Sequence, residues 1–370
     1  MEYVTLGATG LRVSVLGLGG GGHSRLGQRT GAAEYESVAL VRRAFGLGVN
    51  FIDTAEAYGT EPIVGAALRD VRREDVVLST KKSMRAEGRL ITAAELTRGL
   101  DASLKRLGTD YVDIYHLHGV HTEQYDHAVA ELVPEMLRLR EAGKIRTLGI
   151  TESFAHDTGH AMLSRAVRDD YWDVVMVGFN MLNQSARDRV LAETRRRGTG
   201  VLCMFAVRDA LSRPEKLRET VEELVRQGLI DPELVNLQDP LDFVAQAAES
   251  LPDAAYRFCR AEPGIHVVLS GTGNMGHLEQ NIASILRPPL PGSVRARLVE
   301  LFARQASNAR SAPSTAARRR WVRYGPSRGG STRGGSSGAI FTTAKRTSAH
   351  VCRSSRSVES SPACRTVRVS

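Results

Sequence analysis

Cysteine is scarce in this chain of 370 residues: only Cys203, Cys259, Cys352 and Cys364 occur. No two of them lie close together or at a metal-ligand spacing. A disulfide framework and a zinc site are therefore not expected, and a reducing compartment is. No uninterrupted apolar run approaches the roughly 20 residues that a membrane-spanning helix needs. The start, Met1–Thr5 (MEYVT), lacks the basic-then-apolar pattern of a signal peptide. The expectation is a cytoplasmic protein with no membrane partner. Also missing is a G-x-G-x-x-G turn opening a helix, which argues against an open doubly wound nucleotide-binding sheet.

Acidic residues nearly vanish after position 303. Residues 304–370 hold 14 Lys and Arg against one acid, Glu359, which leaves 36 basic and 40 acidic residues in 1–303. The overall charge of +9 is thus a net of −4 for 1–303 and +13 for the remainder. Nothing in 1–303 suggests a nucleic-acid surface. The stretch 304–370, rich in Arg, Ser and Gly and without apolar periodicity, reads as a disordered tail. It could be a basic arm for nucleic acid or acidic lipid, but reads better as an extension without selected function.

What is present in 1–303 is an alternation. Residues 2–6 and 11–18 read as a hairpin across Gly7–Gly10, its second half leading into a first strand. Helical periods are read over Glu34–Leu47, Pro62–Leu68, Thr92–Leu107, Val129–Glu141, His156–Val167, Ala186–Arg197 and His277–Leu286. Between them, Val49–Ile52, Val76–Ser79, Val112–Leu117, Arg146–Ile150, Val174–Val177, Val201–Met204 and Val267–Leu269 read as strands. Eight strands alternating with helices argue for an α/β parallel barrel, the (β/α)8 or TIM-barrel class, over residues 1–303. Between Met204 and His266 there is more chain than one helix needs. Pro214–Gln227 reads as the expected helix, and Ile230–Leu251, with Pro232 and Pro240, as an added loop and helix over the site or on the outer rim.

The chemistry collects where strands end. Asp53 and Tyr58 lie five residues apart after the second strand, and a carboxylate beside a phenol suits proton transfer better than packing. A phenol titrates near pH 10 in isolation, so it needs a nearby cation to work at neutral pH. Lys81 follows one apolar run and His118 another. Lys82 is turned away from Lys81 by strand alternation, whereas His116 and His118 share a facing. His116, His118 and His121 could in principle bind a metal, but no complementary ligand cluster shows on other strands, and no metal is expected.

These segments together resemble the aldo-keto reductases, nicotinamide-dependent carbonyl reductases built on an eight-fold β/α barrel. The likeness rests on Phe51–Gly59 (FIDTAEAYG), Ser79–Lys81 (STK), Gly108–His118 (GTDYVDIYHLH) and Gly143–Arg146 (GKIR) with Gly149, and covers roughly residues 3–303. It implies Tyr58 as general acid, Lys81 as the cation lowering its pKa, Asp53 holding Lys81, and His118 orienting the carbonyl oxygen. It also selects His118 over His116, as the histidine at the strand exit. Aldehydes, ketones and sugar lactols are compatible substrates, with NADP(H) or NAD(H) as cofactor.

For the cofactor, the resemblance points to Gly20 and Gly21 in the glycine run Gly17–Gly22, making room for the nicotinamide. Thr151 and Glu152 stand where the family usually has Ser-Asn for the carboxamide, and Met176 where a Gln is usual. Where the family usually has an aromatic under the nicotinamide, Met204 or Phe205 must serve, with Phe205 the choice. Gly271, Thr272 and Gly273 open a helix whose N-terminus would receive a phosphate. His277 is the one candidate there for a cation on the 2′-phosphate, and Gln280 and Asn281 match positions near the adenine. A barrel with the four side chains but little turnover, acting as a cofactor-sensing regulatory protein, is the alternative reading.

Overall fold

The computed structural model describes residues 1–303; the tail read as disordered, 304–370, lies outside the described residues. A hairpin of β1 (Tyr3–Thr5) and β2 (Arg12–Ser14) comes first. Eight parallel strands follow: β3 (Leu16–Gly19), β4 (Phe51–Asp53), β5 (Val77–Ser83), β8 (Val112–Val120), β9 (Ile145–Glu152), β10 (Val174–Gly178), β11 (Gly200–Met204) and β12 (Val267–Ser270). They pair in chain order, and β12 pairs back onto β3 to close the barrel. A two-stranded flap, β6 (Arg85–Ala86) and β7 (Arg89–Leu90), follows β5.

Alternation along each strand divides the protein into two cores. Phe51, Val77, Ile114, Val174, Met176, Leu202 and Val267 form an apolar cluster inside the barrel, joined from below by Leu6 and Val13 of the hairpin region. The larger cluster lies between strands and helices, with Ile52, Leu78, Tyr115 and Leu117 among its members. On three neighbouring strands the same facing turns polar two residues further on: Phe51 gives way to Asp53, Val77 to Ser79 and Lys81, and Ile114 to His116 and His118. A period of two carries apolar and polar residues to the same interior at different heights.

The helices follow the expected periods. Ala93–Leu107 buries Leu96, Leu100, Leu104 and Leu107, each worth roughly 1.5–3 kcal/mol of burial. Thr92 and Glu95 cap it reciprocally, and Gly108 ends it at φ 66°. The helix read as Val129–Glu141 starts earlier, at Tyr125, and carries a π turn over Ala128–Leu132. Pro134 explains the turn, because it has no N–H to give and its ring displaces the carbonyl one turn back.

Two readings are corrected. The helix read as His156–Val167 is only Ala161–Ala166. Ser153 and Asp157 fold the preceding residues into turns, and His160 takes a left-handed φ of 59°. Between β11 and β12 the helix read over Pro214–Gln227 is present, but the one beside β12 is Leu251–Arg260, beyond the stretch read as added. Leu251–Arg260 covers the barrel there: its Phe258 ring stacks on Phe179 at 5.9 Å, and its Tyr256 hydroxyl meets Ser270 Oγ of β12 at 3.0 Å. Pro214–Arg226 is the added helix, and Ile230–Leu251 contributes two short 3-10 turns rather than a helix of its own. Pro252 looks like a breaker but sits in the first turn, where a missing N–H costs nothing.

The hairpin closes the barrel floor at Gly7. Its φ is 54°, and a Cβ there would come within 2.3 Å of Gly198 O and 2.4 Å of Gly200 N. Gly7→Ala should therefore cost roughly 1–3 kcal/mol, read as a lower midpoint in urea unfolding. A midpoint equal to wild type would show that the floor does not hold the barrel.

Candidate active site

Asp53, the last residue of β4, and Lys81, within β5, meet at the upper end of the barrel. Lys81 Nζ donates to both Asp53 oxygens at 2.6 Å and to Thr54 O at 2.7 Å, while Ser79 Oγ donates to Asp53 Oδ1 at 2.8 Å. Both charged residues are buried. Burial pulls the Lys81 ammonium below its ordinary value, and Asp53 pushes back. Lys82 points the other way, to Glu56 at 2.7 Å.

After Asp53 the chain makes a single 3-10 turn, Glu56–Tyr58, which returns the phenol over the pair. Lys81 Nζ lies 5.1 Å from the Tyr58 ring centroid. Tyr58 OH and His118 Nε2 are 3.1 Å apart, with the rings edge to face. Burial holds the His118 imidazole at a pKa of about 3, with Lys81 adding to the effect, so it is neutral at working pH. His116 lies one inward position deeper, also kept neutral by burial, and neither ring nitrogen has a hydrogen-bond partner. Gly149 makes room for it: a Cβ there would come within 2.2 Å of His116 Nδ1.

The Tyr58 phenol departs from the expected lowering by Lys81. Burial drives its pKa well above the ordinary value and Asp53 adds to the rise. The reason is that Lys81 is held bidentately by Asp53, so the pair presents little net charge to the phenol. The cation that opposes the rise is Arg25, whose Nη1 donates to Tyr58 O at 3.0 Å. Arg25 and its neighbour Leu26 both have positive φ, in a loop beyond β3 with no periodic pattern to flag it.

The sequence model described as "Aldo/keto reductase family" matches residues 16–302. L-galactose dehydrogenase of Arabidopsis thaliana is 31% identical over 300 residues, spanning 77% of this chain and 88% of that protein. Among solved structures, the aldo-keto reductase AKR11C1 from Bacillus halodurans superposes with a TM-score of 0.62 at 23% identity, over 82% of this chain and 96% of that one. The thermostable aldo-keto reductase Tm1743 gives 0.60 at 25% identity, over 81% of this chain and all of the other.

This chain is an aldo-keto reductase. It is an NAD(P)-dependent oxidoreductase acting between carbonyls and alcohols. Among the described residues no group of His, Cys, Asp and Glu is arranged to hold a metal, and no helix is long and apolar enough to cross a membrane.

The remaining sequence candidates of this aldo-keto reductase fall into two groups. Gly21 lies under the phenol, since a Cβ on it would meet Tyr58 Cε2 at 2.7 Å. Gly20 donates to Asp53 O at 2.6 Å, and its own carbonyl accepts from Thr60 Oγ1 at 3.2 Å. Both glycines therefore serve the packing around Tyr58 and Asp53. Thr151 Oγ1 accepts from the Gly119 N–H at 2.7 Å. Met176 belongs to the inner apolar cluster. Glu152 is enclosed, paired with His160.

Across the barrel mouth, Gly271, Thr272 and Gly273 lead into Met275–Leu286, capped by Asn274. A Cβ on Gly273 would come within 2.4 Å of Gly27 Cα, so this loop lies against the loop that carries Arg25. His277 and Gln280 are exposed, and Asn281 Nδ2 donates to Ser270 Oγ at 2.9 Å. Phe205, just past β11, has φ 66°.

The imidazole of His118 has an acid consequence. Its unfolded value is near 6.5 and its folded value about 3, so between the two the unfolded chain binds the extra proton. Stability from this group is intact above the unfolded value and falls as pH drops toward the folded one. His118→Gln should flatten the loss by up to about 1.4 kcal/mol per pH unit between about pH 6.5 and 3. Urea unfolding across that range reads it, and an unchanged slope would show that His118 is not shielded. His116 retains its own contribution in the variant.

Proposed function

We propose that Tyr58, His118, Lys81 and Asp53 form the reacting centre, with Tyr58 as proton donor to a carbonyl oxygen in reduction. The observation that carries this reading is the 3.1 Å contact of Tyr58 OH and His118 Nε2 above the Lys81–Asp53 pair. Two neutral groups aimed at one point can both hydrogen-bond a carbonyl oxygen and strengthen their hold as negative charge develops there. Neutral His118, in the tautomer that carries its proton on Nε2, donates to the oxygen and orients it. Tyr58 holds its proton across the working range and gives it up as the oxygen becomes basic. Arg25, the cation that opposes the rise of the phenol, stabilises the phenolate left behind, while Lys81, locked by Asp53, supports the turn that carries Tyr58.

The residues at the mouth fit a nicotinamide cofactor. The glycine-bearing loop Gly271–Gly273 and the capped helix N-terminus suit a phosphate. Phe205 would lie under the nicotinamide, Thr151 near its carboxamide, and Gln280 and Asn281 near the adenine. When bound, this cofactor supplies or accepts the hydride. His277, exposed in the first turn of that helix, is the candidate reader of a 2′-phosphate. NADP(H) is then favoured over NAD(H) by one exposed cation only. The similarity to an L-galactose dehydrogenase supports a sugar lactol or hydroxyaldehyde as substrate. The free buried thiols of Cys203 and Cys259 suit a reducing, cytoplasmic setting.

Tyr58→Phe should lower kcat/KM for aldehyde reduction by about 10²–10⁴-fold while cofactor affinity stays near wild type. A fully active Tyr58→Phe enzyme would sink the assignment. His277→Ala should weaken NADPH binding roughly two- to fivefold, the worth of an exposed ion pair, and leave NADH unaffected. Fluorescence titration reads both cofactors. Equal affinities for the two in wild type and variant would mean that His277 reads no phosphate.

A further inference from the structure

Glu152 stands where the resemblance implies an amide facing the nicotinamide, yet its side chain is wholly enclosed. Both carboxylate oxygens are engaged. His160 Nδ1 lies 3.0 Å from Oε1 and 2.8 Å from Oε2, and the Gly178 N–H donates to Oε1 at 2.8 Å. The His160 side chain is equally enclosed, and its Nε2 has no hydrogen-bond partner. To bring the ring there, the backbone of His160 adopts φ 59°.

The pair continues as a stack of rings. Phe154 lies 5.7 Å from His160 at an interplanar angle of 33°, and 5.7 Å from Phe205 at 37°. Gly178 permits this, because a Cβ on it would come within 2.4 Å of Phe154 Cδ2. Phe205 is held from the other sides as well. Asn180 Nδ2 donates to its carbonyl at 3.1 Å, and the Arg208 guanidinium lies 4.1 Å from its ring centroid. Among the described residues only Arg25, Leu26, Glu87, His160 and Phe205 combine a side chain with positive φ. Two belong to this stack and two to the loop held against Tyr58. Such backbone conformations persist where surrounding contacts over-determine them, and they gather at functional sites.

A buried carboxylate is also a costly way to satisfy one backbone N–H and one imidazole, since a neutral amide could accept from both. The geometry points to Glu152 and His160 as positioning residues for the nicotinamide end of the cofactor. Through Phe154 they fix the ring of Phe205, the surface on which the nicotinamide rests. This role rests on the cofactor site proposed above. It replaces direct contact at position 152 by indirect support, so that Thr151 alone of the two strand-end residues is left to meet the carboxamide.

The test uses the full-length protein and two ligand pairs: NADPH with 2′-phospho-ADP-ribose, and NADH with ADP-ribose. The second member of each pair lacks only the nicotinamide. His160→Asn keeps a donor near Nδ1 and tolerates the left-handed backbone, but removes the ring that touches Phe154. Phe154→Leu breaks the stack without disturbing the Glu152–His160 contact. In calorimetric titrations both variants should bind the reduced cofactor on the order of tenfold more weakly, as for packed neighbours that couple. Both should hold the nicotinamide-free ligand as wild type does. Equal loss for both ligands, or no loss for either, would overturn the positioning role. A wild type that binds neither ligand would instead overturn the cofactor site itself.

Discussion

The Lys81–Asp53 pair is the constraint on which the site depends. A lone ammonium at that depth would shed its proton, and a lone carboxylate would take one up. Together, with Thr54 O and Ser79 Oγ completing their contacts, they stay in place at 2.6 Å. Removing either partner would leave the other buried without compensation, which is why such pairs resist being dismantled one residue at a time. The pair also links β4 to β5, so the turn that carries Tyr58 begins from a fixed point. Everything above it, the phenol, the imidazole of His118 and the arm of Arg25, is arranged on that support.

A second constraint is room. The barrel interior holds two side-chain layers of opposite character, and the polar one is crowded by large rings. Glycine at three positions makes the space: Gly21 under Tyr58, Gly149 beside His116 and Gly178 beneath Phe154. At each of them a methyl group would overlap a ring carbon or nitrogen. Those glycines are therefore part of the site although none carries a functional group. Their positions cannot be told from turn glycines by composition, because what they accommodate comes from another strand or loop.

Much of the architecture was legible in order along the chain. The stripe Leu96–Leu100–Leu104–Leu107 and its cap, and the short apolar runs ending in Asp53, Lys81 and His118, are local patterns, and local geometry produced them. The misreadings share one cause. His160 leaves the helical pattern because its ring is drawn to Glu152, and the helix that covers the barrel before β12 is Leu251–Arg260, held there by Phe258 on Phe179 and Tyr256 on Ser270. In both places a contact made across the fold outweighed the propensity of the segment.

The sequence by itself determined the eight-fold alternation, through spacing and periodicity, the acidic balance of 1–303, by count, and, through the family resemblance of its motifs, the four residues that meet at one barrel end. Only the tertiary structure decided the electrostatics. Lys81 is so fully matched by Asp53 that burial governs the phenol, and Arg25, from a loop without pattern, supplies the opposing charge. It likewise decided that Glu152 turns inward to His160. A pKa and a side chain's partner depend on distance and burial, and neither is a property of the chain until it has closed on itself.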